Sequence, residues 1–197
     1  MRTFLVVLWL TLPFGAWAYH EGPGQEQALL DEVQSLNDAG RRAADAELWA
    51  LAVERYAEAL EKLPAERVAE ARRIRLDLNV AKMNASQLPE AHADLEKLVT
   101  ELASDPEADA KLADDARRAL ASAQFFMTWL MRLEGLPREE WEPEIEAARQ
   151  SYRLLAEKAT LGGDDAAAAR DLESLESTVR LARLDLDELQ GLPLPSQ

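Results

Sequence analysis

AELWALAVERYAEALEKLP, residues 46–64, is the stretch that decides how this chain folds. Its apolar positions recur at helical spacing, and two sizes of side chain alternate along one face. Trp49 and Tyr56 are large, whereas Ala52 and Ala59 are small. Small residues let a neighbouring helix come close, and Tyr56 fills the gap between them. Pro64 carries no backbone N–H, so it ends this helix and opens the next segment. The stretch therefore predicts a helix packed tightly against a partner helix.

A second copy follows at RLDLNVAKMNASQLPEAHADLEKLVTEL, residues 75–102. Leu88, Ala91, Leu95 and Leu98 repeat the offsets of Trp49, Ala52, Tyr56 and Ala59, 39 residues on, with Leu78 and Asn79 upstream. A weaker third copy places Ala148, Tyr152 and Leu155 at the same offsets. Outside these segments Ala, Leu, Glu and Arg dominate, all good helix formers, and no stretch alternates as a strand would. Breaks at Pro64, Pro89, 104–106, 135–137, 162–163 and 191–193, with a weak one near Glu47, leave seven helices. They are expected at 27–46, 48–63, 65–86, 88–103, 107–134, 141–159 and 164–189. Ser104 to Glu107 has capping-box spacing, Gly162 and Gly163 suit a helix end, and Asp164 and Asp165 suit the next start. The last helix carries Leu172, Leu175, Val179, Ala182, Leu186 and Leu189 at spacings of three and four. That seam is expected to close the helix onto its own domain, and pairing with a second copy through 172–189 is the alternative.

The 46–64 pattern resembles the second helix and terminal proline of a tetratricopeptide repeat. Leu36, Ala39 and Gly40 then stand at the packing positions of its first helix. Two departures are plain: Ala43 stands where an aromatic is usual, and the spacing is 39 residues against about 34 in the family. The resemblance implies an all-α, TPR-like right-handed superhelix of about three helical hairpins plus a C-terminal capping helix. It also implies a function, namely binding a partner protein segment in a concave groove without catalysis. The groove-lining candidates on first helices are Asn79, Met83, Phe126, Trp129 and Arg132.

Residues 1–18, MRTFLVVLWLTLPFGAWA, have a charged start at Arg2, an apolar run and a small-x-small end at Ala16–Ala18. They predict a secretory signal peptide cleaved after Ala18, with an uncleaved membrane anchor as the alternative. The expected organisation is then a lead-in at 19–26, a helical domain at 27–189 and a tail at 190–197, with no membrane span once the signal is cleaved. The 197 residues contain 22 Lys plus Arg, 37 Asp plus Glu, two His and no Cys, for a net charge of −15. Disulfides, thiolate metal sites and a Cys nucleophile are excluded, and a basic nucleic-acid surface is not expected. Losing Arg2 with the signal makes the balance −16. An acidic, cysteine-free exported chain suits a periplasm or an extracellular space, and favours a basic partner or a basic face in an envelope complex.

Candidate chemistry is sparse. Residues 123–150 hold Phe125, Phe126, Met127, Trp129, Leu130 and Met131, apolar nearly all round the helix. They predict a core helix whose remaining face could anchor a partner peptide, with Arg132 and Arg138 as donors to its carboxylate. Glu139, Glu140, Glu142, Glu144 and Glu146 surround Trp141. Paired carboxylates of this kind could hydrolyse cell-wall glycan with a Glu as general acid. An acid-rich first turn is nevertheless what the helix dipole favours by itself. His20 reads as an exposed terminus, His92 as part of a charged face, and Asn84-Ala85-Ser86 as a glycosylation acceptor pattern at a helix end. No catalytic triad grouping, phosphate loop, metal site or cofactor motif is present in the sequence.

Overall fold

The computed structural model describes residues 23–190, which form helices joined by short turns. The order is α1 (Pro23–Asp45), α2 (Trp49–Lys62), α3 (Val68–Asn84), α4 (Leu88–Ser104), α5 (Ala110–Leu133), α6 (Arg138–Gly162), α7 (Asp165–Arg183) and α8 (Leu186–Gln190). Among the described residues there is no strand, and consecutive helices pack on one another as hairpins. The expected signal segment, residues 19–22 of the lead-in and residues 191–197 lie outside the described residues. No helix among the described residues is long and apolar enough to cross a membrane.

Packing divides the chain after Ile74. In the first unit α1 and α2 form a hairpin whose close approach follows from its small residues. Gly40 faces the Tyr56 ring so tightly that an added Cβ would lie 2.7 Å from Cδ1 and Cε1. Ala52, Tyr56 and Ala59 are all buried, and so is Ala43. Trp49 is only half-buried. An exposed Lys62–Glu32 ion pair at 2.6 Å closes the open end of the hairpin.

The second unit repeats this arrangement. Ala91, Leu95 and Leu98 of α4 are completely buried, with Leu76 and Met83 of α3 and Leu112, Ala116 and Ala123 of α5 around them. Further along, Ala121, Ala148 and Tyr152 form one cluster, so a small residue on α5 accompanies a tyrosine on α6 as Gly40 accompanies Tyr56. Trp129, Trp141, Ile145, Leu181 and Leu189 form another.

The turns explain where the helices stop. Glu47 and Ser86 both have positive φ, at 57° and 62°. In each case the next N–H reaches back five residues, Leu48 to the Ala43 carbonyl (2.8 Å) and Gln87 to that of Lys82 (2.9 Å). That is a Schellman cap, which satisfies carbonyls left open at a helix end. The α1–α2 and α3–α4 turns are thus the same turn 39 residues apart. Gly135 and Gly163, both at φ 75°, build the same cap after α5 and α6.

Several boundaries differ from expectation. Helix α1 starts at Pro23, not 27; proline suits a first helical turn. Pro64 to Arg67 forms a turn, so α3 starts at Val68 and not at 65. Ser104 is the last residue of α4, its hydroxyl donating to the Glu101 carbonyl, and Asp109 caps α5 instead. Helix α6 runs from Arg138, where Pro137 holds the cap position, and contains Pro143. The long final helix is two helices. Asp185 and Glu188 cap α8 reciprocally, each side chain accepting from the other's backbone N–H at 2.8 and 3.1 Å.

Candidate functional site

Helices α5 and α7 run in the same direction, and two arginines of α5 tie them together. Arg118 holds Asp171 with two bonds, from Nε at 2.8 Å and Nη2 at 3.1 Å. Asp171 is 1% exposed, so its charge is stabilised by that bidentate partner. Asp115 also takes a bond from Arg118 at 2.9 Å, and Arg118 is accordingly held above the ordinary arginine range, chiefly by Asp171. At the other end Arg132 donates to the carbonyls of Leu181 and Leu184, the open end of α7. Its guanidinium lies 4.8 Å from the Trp141 ring centre, a cation–π contact inside the tryptophan cluster.

Between these ties lies a cavity of about 450 Å³. Helix α5 supplies Ser122, Phe125 and Phe126, helix α7 supplies Glu173, Ser174 and Ser177, and Tyr152 of α6 reaches it from below. Phe125 and Phe126 meet edge to face at 5.5 Å. The Tyr152 hydroxyl lies among Ser122 and Ser174 in the lining, and burial pushes its pKa up. Ser174 and Ser177 donate to the carbonyls of Arg170 and Glu173, one turn back. Their hydroxyl oxygens therefore remain acceptors. Two rings, a row of hydroxyl oxygens and one exposed carboxylate can hold an apolar side chain flanked by N–H or basic donors.

Only one of the five groove candidates faces this cavity. Phe126 lines it. Asn79 is wholly buried and donates to Asp94 at 2.6 Å, while Arg75 bridges Asp94 (2.8 Å) and Glu101 (2.7 Å) across α3 and α4. Met83 sits in the α3–α4–α5 core, and Trp129 is 7% exposed within the tryptophan cluster. Arg132, expected to meet a partner carboxylate, spends its donors on backbone carbonyls. Sequence reading missed Ser122, Ser174 and Ser177. The two α7 serines are one turn apart, on the side of the helix away from the leucine seam. Tyr152 was legible only as a packing residue.

The acidic run around Trp141 is mostly paired. Glu142 accepts from Arg138, Glu146 from Arg149 at 2.6 and 2.8 Å, and Glu144 from His92 at 3.0 Å. Each partner lowers the pKa of its carboxylate below the ordinary range. A general acid needs the opposite shift. His92 is expected in a charged helix face. It is half-buried and joins α4 to α6, its pKa raised by Glu144, which Gln124 of α5 also contacts. Among the described residues no group of three or more His, Cys, Asp and Glu could hold a metal ion. The sequence matches no known family model and no curated protein.

Proposed function

We propose that this chain is an exported, non-catalytic adaptor that holds a segment of a partner protein between α5 and α7. On this reading the repeated hairpins continue as a TPR-like right-handed superhelix, and the cavity is part of its concave side. The observation that carries the proposal is the framing of the cavity: Arg118 and Arg132 fix its two walls, and the lining between them is left for a ligand. A rigid recess with aromatic anchors and hydroxyl acceptors is suited to peptide capture. Glu173, exposed at its rim, favours a basic residue beside the apolar anchor. Export to the periplasm rests on residues 1–18.

The test is recovery of partners with a tagged chain, comparing the natural sequence with Ser177→Arg. The longer side chain fills the recess from an exposed helix position, so the fold is kept. Loss of a specific partner with an unchanged melting temperature is the expected result. The same partner set from both chains contradicts the groove reading. Release of soluble fragments from peptidoglycan, abolished by Glu144→Gln, contradicts the non-catalytic reading.

A further inference from the structure

Helix α7 leaves part of its apolar stripe outside. Its inward positions are Ala167, Ala168, Asp171, Thr178 and Leu181, small or polar except for the last. The leucine seam lies at the margin of that face: Leu172 is 50% exposed, Leu175 and Val179 are half-buried, with Leu175 touching the Ala121–Ala148–Tyr152 cluster, and Ala182 is exposed. Small residues on the inner face let α7 approach α6 closely, and that leaves the larger apolar side chains on the outside. Two recesses follow the seam and share Leu175 and Val179. One, of about 610 Å³, is walled by Arg183 and by Leu184 and Glu188 at the turn into α8. The other, of about 130 Å³, is bounded by Arg149 and Arg153 of α6.

The charges beside the seam identify what covers it. Glu176 and Arg183 are seven residues apart, so they lie along one edge of the helix. A rise of about 10 Å separates them, too far for a bond within the helix. Both are exposed, and neither has an ion pair among the described residues. The edge is acidic toward the N-terminal half and basic toward the C-terminal half. Such an edge complements itself when the helix meets a copy running the opposite way, whereas a parallel copy sets like charges level. A contact related by a two-fold axis needs this self-complementarity.

We propose that α7 packs antiparallel against α7 of a second copy, with Leu175 and Val179 in the seam and Glu176 of each copy facing Arg183 of the other. The contact is separate from the α5–α7 groove, because Ser174 and Ser177 face away from the seam. Its core is four small to medium apolar residues per copy, so a dimer of moderate affinity follows.

Sedimentation velocity of the purified chain from about 1 to 200 μM tests this. The expected result is a shift toward twice the monomer mass as concentration rises. Glu176→Arg and Arg183→Glu each place like charges opposite one another and are expected to weaken the dimer at least about tenfold. The two substitutions together restore opposite charges and are expected to bring self-association back to within about threefold of the natural chain. Both positions are exposed, so unchanged circular dichroism accompanies every variant. A monomer at all concentrations overturns the proposal, and so does a monomer that instead binds an acidic amphipathic peptide at Arg180 and Arg183. Single variants that dimerise like the natural chain, or a double variant that fails to recover, also overturn it.

Discussion

Gly40 shows at the scale of one residue how this fold is held. Replacing it with alanine gains about 1 kcal/mol of helix propensity. The added methyl, however, meets a buried ring at 2.7 Å, and overpacking of this kind costs about 1–3 kcal/mol. Gly40→Ala is therefore expected to lower stability by up to about 2 kcal/mol, read from urea unfolding; an increase contradicts the close approach. His92 and Glu144 make a second residue-scale prediction. The His92 pKa is raised from the ordinary 6.5, so its contribution is complete below that value and is lost as pH rises through the raised one. The Glu144 pKa is lowered from 4.5, so its contribution holds above that value and is lost as pH falls through the lowered one. The stability advantage of the natural chain over Glu144→Gln is expected to be greatest between pH 4.5 and 6.5, and to shrink as pH rises through the raised His92 pKa. An advantage independent of pH contradicts the charged pair. The Gly40–Tyr56 contact was legible because the two positions belong to one hairpin. The His92–Glu144 and Arg132–Leu181 ties join positions some fifty residues apart, and no local pattern marks them.

Elements in this chain end where backbone carbonyls can be satisfied, and the residue at the cap is not always the best one. Glu47 and Ser86 adopt left-handed backbone at caps where glycine serves after α5 and α6. Left-handed backbone costs a non-glycine residue about 1–2 kcal/mol. Glu47→Gly and Ser86→Gly are each expected to raise stability by about 1 kcal/mol, less the entropy glycine adds to the unfolded chain, seen as a higher urea midpoint. The capping box of α8 gives the converse. Asp185→Ala removes a side-chain cap worth about 1 kcal/mol and loosens α8, whose Leu189 is buried beside Trp129 and Trp141. A red-shifted tryptophan emission is expected, and an unchanged spectrum contradicts it. The Asp185–Glu188 spacing was present in the sequence but was overlooked, because the leucine seam reads straight through it. For the same reason the stripe reads as wholly inward, whereas Leu175 and Leu189 meet the core and Leu172 and Leu186 stay exposed. A 3–4 spacing of leucines says which residues share a stripe, but the bulk of the neighbouring helix decides whether that stripe goes in or out.

Across the whole molecule, local interactions explain why the fold was largely legible and the site was not. Hairpins of consecutive helices rest on short-range patterns, small residues opposite large ones and breakers between them, and these survive as sequence signals. The groove depends on α5 meeting α7 over the intervening α6, through Arg118 with Asp171, with Tyr152 and the two serines brought into one lining. Charged and hydroxyl side chains of this kind look like solvated surface until their partners are known. Trp129, which sequence reading placed in the groove, belongs to the core instead, and Trp129→Ala is expected to cost about 3–5 kcal/mol of stability. The recess between α5 and α7 is where the proposed partner segment would sit. The measurement that tests it most directly is cross-linking in intact cells, with a photoreactive side chain at Ser177 and, separately, at exposed Glu157 on α6. The account predicts a discrete adduct with one partner protein from Ser177, weakened by Phe126→Ala and absent from Glu157. No adduct from Ser177, or the same adduct from both positions, contradicts it.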